Sequence, residues 1–389
     1  HRLCAGMSRQ LPLRPLPLRI ATFNLSFSRP TADGLWQALQ AHEAPLNHCA
    51  AILRQVRPDI VLLNEFDHDG EGREYHALNY FCRHYLQAPL PGCGEPLEYP
   101  HRYLLPTNTG LLASTDLDGD GVIALPGDGL GFGTFPGQYG MALLSRFPLF
   151  PDQAISLRRF LWRDMPGALL PMGPDGVSPY YSPEALAQLP LSSKNHLLLP
   201  VQIGQRTLQL LLSHPVPPVF DGPERRNRCR NHDEIRLWCD YLDGADYLQD
   251  DAGRQGGLDP TATFVLLGDL NADPRAGDGD RRAIRRLLAH PRVHPAVAQG
   301  ARRPASGGAV SHGARRSRPV PPAMAAHWTH LRGLRLDYVL PSRDLTVVGS
   351  GVFWPASGEP GREWLADAAD IERAEYSSDH RLVWVDLQL

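Results

Sequence analysis

The sequence predicts an α+β protein whose buried strands end in polar side chains, and three observations predict it. The stretch FVLLGDLNADP opens with a continuous apolar run, Phe264 to Leu267, the pattern of a strand buried on both faces. The run stops at Gly268, and Asp269 and Asn271 follow at a spacing of two, which puts both side chains on one face of the strand's extension. Strand, helix and strand also succeed one another over residues 18–63, with Asn24 and Glu65 just past the two strands. Such a unit brings both polar residues to the same rim of a sheet. Towards the C-terminus, RLDYVL carries Asp337, and Ser378-Asp379-His380 stand immediately before a final apolar strand.

In chain order, residues 18–23 alternate into a core and end at Asn24, a first strand. One helix is expected over residues 35–56, stopped by Arg57-Pro58, and residues 59–63 are again apolar and extended. Residues 73–86 have helical spacing, with Tyr75, Leu78, Tyr80, Phe81 and Leu86 on one face. Residues 88–137 are rich in Gly and Pro and read as a long insertion. After the strand at 139–145, residues 156–192 are irregular and are expected to cover a sheet rather than line a cleft.

A hairpin follows, residues 196–203 and 207–212 around Gly204-Gln205, and its second strand ends at Ser213-His214-Pro215. The helix expected over 224–248 carries Arg225, Arg226, Arg228, Arg230 and Arg236, partly balanced by Glu224, Asp233 and Glu234. That balance predicts a solvated face, with an arginine of the first turn reaching a phosphate as the sharper reading. A helix is expected at 281–288 and a mobile, low-complexity loop at 299–326. Strands at 335–340, 347–354 and 381–387 complete the chain.

Composition narrows the function classes. The chain has 389 residues, 42% hydrophobic and 21% charged, as soluble globular proteins do. A net charge of -3 and a pI near 6.6 supply no global basic field, so nucleic-acid binding would need a local patch. Lys194 is the only lysine, which reads as base-composition bias and weakens arginine richness as evidence for phosphate binding. No apolar run is long enough to span a membrane, and residues 1–17 form a Pro-interrupted leader without a signal-peptide core. The six cysteines show no zinc-ligand spacing. Cys82 and Cys93 flank a loop and could pair, and the even count leans towards an extracellular or periplasmic location over a cytoplasmic one.

Together the strand ends supply Asn24, Glu65, His214, Asp269, Asn271, Asp337, Asp379 and His380. Oxygen ligands without cysteine describe a hard cation, Mg2+ or Mn2+, and two histidines among carboxylates can move protons near neutral pH. At these residues the sequence resembles the endonuclease/exonuclease/phosphatase superfamily. The matching stretches are RIATFN, PDIVLLNEFD, YGMALLSRFPL, LLSHP, VLLGDLNADP, RLDYVL and YSSDHRLVWVDL, in the family's order over nearly the whole chain.

The resemblance implies a four-layer sandwich of two packed mixed sheets flanked by helices. It also implies one domain over residues 18–389, with insertions near 88–137, 156–192 and 299–326. It implies a metal-dependent phosphoester hydrolase in which Glu65 is the principal metal ligand with Asn24 and Asp379 close to the ion. Asp269 would position or activate the attacking water, and Asn271 would donate to the scissile phosphate. His380 would act on the phosphate or as a base, oriented by Asp337, and His214 would contact phosphate or act as an acid. The expected substrate is a nucleic acid or small phosphoester, cleaved by a phosphodiesterase of nuclease type. A phosphomonoesterase, a lipid phosphodiesterase and a non-catalytic binding protein are the alternatives.

One further motif lies in the first insertion. DLDGDG spaces Asp116, Asp118 and Asp120 as in the first half of an EF-hand loop, with Gly121 following. This predicts a structural Ca2+ site apart from the catalytic ion, although the position of the bidentate Glu holds Gly127, one residue before Asp128.

Overall fold

The computed structural model describes residues 16–365 and 376–389, so of the leader at 1–17 only Leu16 and Pro17 fall within the described residues. The strands are β1 (Leu18–Asn24), β2 (Ile60–Asn64), β3 (His101–Leu105), β4 (Met141–Ser145), β5 (Ile155–Ser156), β6 (His196–Ile203), β7 (Arg206–Ser213), β8 (Phe264–Asp269), β9 (Asp337–Pro341), β10 (Thr346–Val352) and β11 (Val383–Gln388). They form a six-stranded sheet in the order β10-β11-β1-β2-β4-β3 and a five-stranded sheet in the order β5-β6-β7-β8-β9. The α-helices are α1 (Gly34–Ala41), α2 (Ala44–Val56), α3 (His76–Phe81), α4 (Pro183–Leu186), α5 (Arg226–Leu242), α6 (Arg282–Leu288), α7 (Pro295–Ala298), α8 (Gly307–Ala314) and α9 (Pro322–Ala325).

Side-chain alternation along β8 shows why the sheets stack. Val265 and Leu267 join the core that also holds Ile20, Leu62 and Leu143 of the first sheet. Phe264 and Leu266 point the other way, into a second core with Ile235 and Trp238 of α5 and Ile284 and Leu287 of α6. Both faces of β8 are therefore buried, as its unbroken apolar run requires. Two mixed sheets packed together between helices make the expected sandwich.

Strand direction then sets the rim. β1 and β2 run parallel with Asn24 opposite Asn64, so both finish at one level. In the second sheet β7 and β8 run parallel, while β9 is antiparallel to β8 and begins with Asp337 opposite Asp269. β11 is antiparallel to β1, so the residues ahead of it arrive where β1 ends.

Several expectations need correction. The helix expected over 35–56 is two helices, because His42 turns left-handed at φ 51° and Pro45 opens α2. A proline inside one continuous helix would cost about 3 kcal/mol; at a first turn it costs little. The helix expected over 73–86 is α3 followed by a π-helical segment, Cys82–Gln87. The insertion at 88–137 contains β3, an edge strand of half-exposed and buried residues paired with β4. The helix expected to reach 248 ends at Leu242, before the left-handed Gly244. On α5, Arg230 is not solvated: it is buried and donates to the carbonyls of Leu130, Pro190 and Leu191.

Residues 299–326 are not a loop without structure but carry α8 and α9, which pack on the first core through Ala309 and Ala325. Small residues make that contact possible: a Cβ at Gly308 would stand 2.2 Å from the carbonyl oxygen of Trp354. The segment 156–192 does cover a sheet, burying Phe160, Trp162, Leu189 and Leu191 in the second core. Cys82 and Cys93 are both free thiols, as are the other described cysteines. Among the described residues no helix is long and apolar enough to cross a membrane.

Candidate active site

The strand ends of both sheets converge on one carboxylate oxygen. Asp269 Oδ2, at the end of β8, accepts the carboxamide of Asn24 at 2.9 Å and faces Nε2 of His214 at 3.4 Å and Nε2 of His380 at 3.5 Å. Its other oxygen accepts the backbone N–H of Asn271 at 2.9 Å, and its own N–H donates to Asn64. Gly268 lets this happen: its φ is 150°, and a Cβ there would meet the carbonyl oxygen of Ser213 at 2.0 Å. Only glycine allows β7 and β8 to approach so closely just before the functional pair.

Asn271 does not continue the strand. Its backbone is left-handed at φ 51°, and its carboxamide donates to Pro215 O at 2.9 Å, tying the β8 end to the segment after His214. One amide hydrogen remains for another acceptor. Positive φ values recur around the site, at Ser26, Glu65, Tyr139 and Asn271. Non-glycine residues rarely adopt them, and each costs on the order of 1–3 kcal/mol, a concentration of strain typical of functional sites.

Asp337 and His380 form a buried pair, Nδ1 donating to Oδ2 at 2.8 Å, and Thr329 Oγ1 donates to the same carboxylate oxygen at 2.7 Å. Burial opposes a charge on His380, but Asp337, Asp269 and Asp379 outweigh it and hold the imidazole protonated well above its usual range. Burial likewise opposes ionisation of Asp269, and the charge of His380 with the hydrogen bond from His214 overcomes it, leaving the carboxyl below the ordinary range. His214 is different: burial, then the charge of Lys194, pushes it down to about 4, so it is neutral near pH 7. Its Nδ1 is buried, with no hydrogen-bond partner among the described residues.

Glu65 follows β2 at the rim. Burial, reinforced by the negative charges of Asp379 and Asp269, raises its carboxyl to about 7 despite the opposing charge of His380. Asp379 has both oxygens occupied, by Ser26 Oγ at 2.8 Å and His330 Nε2 at 3.1 Å, and keeps a side chain 36% exposed. Asn24 offers its carbonyl oxygen to Ser26 N–H while its amide holds Asp269. A site this rich in carboxylates, with oxygen donors and no cysteine, fits a hard divalent cation, whose charge would offset the burial and repulsion that raise Glu65.

The structure thus brings together Asn24, Glu65, His214, Asp269, Asn271, Asp337, Asp379 and His380. Asp116, Asp118 and Asp120 form a separate group with Asp128, their oxygens within 4.8 Å of one another. In that loop Asp128 accepts N–H groups from Leu117, Asp118 and Ala124.

Three residues escaped the sequence reading. Asn64 signalled itself by standing before Glu65, and it joins the sheets through Asp269 N–H. Lys194, ahead of β6, is the chain's one lysine, a rarity that base composition explains without pointing to the site. It is buried, no carboxylate of the described residues lies within ion-pair distance, and Glu234, Glu65 and Asp269 are the negative charges it feels against a burial that lowers its pKa. His330 gave no signal at all, since it lies in a segment without strand or helix periodicity.

Comparison with solved structures finds folds similar to this one at low identity. An endonuclease/exonuclease/phosphatase from Beutenbergia cavernae is 20% identical, with 96% of this chain and 72% of that one covered and a TM-score of 0.48. The human Nocturnin catalytic domain with bound sulfate is 14% identical, with coverages of 97% and 95% and a TM-score of 0.43. Sphingomyelinase C from Streptomyces griseocarneus is 14% identical, with coverages of 95% and 99% and a TM-score of 0.43. None of these likenesses bears on this chain's substrate. Comparison with curated protein sequences gives no match. The model of the Endonuclease/Exonuclease/phosphatase family matches residues 21–380, from inside β1 to the histidine before β11. A match of that extent takes in every strand end that meets at the rim, and the chain belongs to the endonuclease/exonuclease/phosphatase family.

Proposed function

We propose that the protein is a divalent-metal-dependent phosphoester hydrolase that directs water in line at phosphorus, with a phosphodiester of the nuclease-substrate kind as its first substrate class. The observation that carries this reading is the convergence of Asn24, His214 and His380 on one oxygen of Asp269. Mg2+ or Mn2+, held by Glu65, Asn24 and Asp379, would neutralise charge on the phosphoryl oxygens. Asp269, kept ionised by its neighbours, accepts a hydrogen from the attacking water and orients it. His380, charged and aimed by Asp337, donates from Nε2 to a phosphoryl or leaving-group oxygen. The spare amide hydrogen of Asn271 serves a second phosphoryl oxygen. His214 is the neutral imidazole of the set and accepts at Nδ1.

The decisive experiment is a hydrolysis panel of bis-aryl phosphate, aryl phosphate, plasmid DNA, RNA and sphingomyelin, each with Mg2+, Mn2+ or EDTA. Metal-dependent cleavage of the diesters is expected. Turnover of aryl phosphate alone would assign a phosphomonoesterase, and of sphingomyelin alone a lipid phosphodiesterase. No turnover of any substrate would leave a binding protein.

Lys194 belongs to this reading as a buried cation, without an ion pair among the described residues, that would face the phosphoryl group. A hydrogen bond to a charged partner contributes about 1.5–3 kcal/mol, so Lys194→Met should lower kcat/KM by about 10- to 100-fold, with Lys194→Arg intermediate. Unchanged kinetics in a folded Lys194→Met protein would remove the residue from the site.

For the acidic loop we propose a structural Ca2+. Asp118, although exposed, is pushed up to about 6 by partial desolvation and by its hydrogen bond to Asp116, with Asp128 and Asp120 adding repulsion that a cation would cancel. Ca2+ should therefore raise the Tm of the wild type but not of Asp118→Ala/Asp120→Ala, with turnover per folded molecule little changed. An equal Ca2+ response in the two proteins would refute the assignment.

A further inference from the structure

We infer that His330 is a positioning residue that holds Asp379 in the orientation a divalent cation needs, acting as a hydrogen-bond donor and not as a metal ligand. The inference rests on the reading of Asp379 as a metal-facing carboxylate.

His330, Asp379 and His380 bring ligand-type atoms within 4.8 Å of one another, so a cation bound directly between two imidazoles and a carboxylate is the obvious alternative. The hydrogen bonds of His330 decide against it. The backbone N–H of Arg332 donates to His330 Nδ1 at 3.0 Å, so the lone pair of Nδ1 is used and the ring proton sits on Nε2. That Nε2–H donates to Asp379 Oδ2 at 3.1 Å. A cation on Nε2 would need its lone pair, and the proton would have to move to Nδ1, where it would meet the N–H of Arg332 head on.

The scaffold around the ring is built to keep this arrangement. The ring packs edge to face on His380, 4.6 Å between centroids and 80° between planes. The backbone turns at Gly333, whose N–H donates to His330 O, and an isolated bridge joins residue 330 to residue 380. Asp379 is then gripped on both oxygens, by His330 on Oδ2 and Ser26 on Oδ1. Its rotation is fixed, no other hydrogen bond among the described residues engages either oxygen, and its side chain is far more open than that of His330, 36% against 10% exposed. A carboxylate oriented by donors on its far side is the usual support of a ligand in a metal site, and losing such a donor weakens the metal by about 10- to 100-fold.

The test measures Mg2+ and Mn2+ binding by calorimetry, and the metal-induced rise in Tm, on substrate-free wild type, His330→Ala and His330→Gln. His330→Ala is expected to bind about 10- to 100-fold more weakly, and His330→Gln, which keeps an amide donor, to recover most of the affinity. If His330→Ala binds as tightly as the wild type, the inference fails. If His330→Gln is as weak as His330→Ala while both keep the wild-type circular dichroism, the imidazole is itself a ligand and the donor role is overturned. A wild type that binds neither cation would instead overturn the metal-dependent reading of the whole site.

Discussion

Asp269→Asn is expected to lower phosphoester hydrolysis by at least about 10²-fold while the protein stays folded. Asn has the shape of Asp, and the Oδ1 contact to Asn271 N–H survives the change. What is lost is the negative charge at the centre of the site. Oδ2 now serves Asn24, His214 and His380 together; an amide group in its place would set a donor against those donors or turn them away. The loss also removes one of the three carboxylates that keep His380 protonated. Glu65→Gln, which keeps the side chain's size, and His380→Ala should cost a similar factor; the second also removes a buried imidazole and leaves Asp337 without its partner, so its fold is checked alongside its activity. Near-wild-type kcat/KM in any two of the three variants, with circular dichroism and Tm unchanged, would sink the assignment of the site.

Chelation is expected to abolish turnover, and Mg2+ or Mn2+ to restore it, with a pH dependence that Glu65 dictates. In the metal-free fold its carboxyl is raised to about 7, against 4.5 for the free side chain. Between those values the folded state holds more protons than the unfolded state, so this group's contribution to stability falls as pH rises from 4.5 to 7. A cation binds the ionised form, so binding below about pH 7 must displace a proton and is weaker there. The rise in Tm produced by Mg2+ should therefore be larger at pH 8 than at pH 6. A rise that is equal at the two values, or larger at pH 6, would contradict the placement of Glu65 at the ion. Activity that survives exhaustive EDTA treatment and dialysis would contradict the metal altogether.

Much of this was legible in the chain because it is local. An apolar run such as Phe264 to Leu267 can only be a strand with both faces covered, and the residues that follow it must stand at the sheet's rim. The same argument located Asn24, Glu65 and His214 past their strands and, read from the other end, Asp337, Asp379 and His380 at or ahead of theirs, and the order of the motifs carried the family. Local composition misled where packing overrides propensity. Residues 299–326 look unstructured as a Gly, Pro and Ala string, yet that smallness is what seats α8 against Trp354. The half-exposed strand β3 showed no period because it is an edge.

By itself, then, the sequence determined which residues end the strands and which chemistry they carry, since periodicity and residue type act over a few positions. Only the tertiary structure decided which of them share an atom. The meeting of Asn24 with Asp269, 245 residues apart, depends on how two sheets stack, and no local pattern encodes that distance. The protonation of each group follows from the same packing: His214 and His380 have one side chain in common, yet Lys194 and burial keep the first neutral while three carboxylates charge the second. His330 entered the site from a connecting segment whose path is set by Thr329, Asp337 and Asp379, contacts that exist only once the strands have docked.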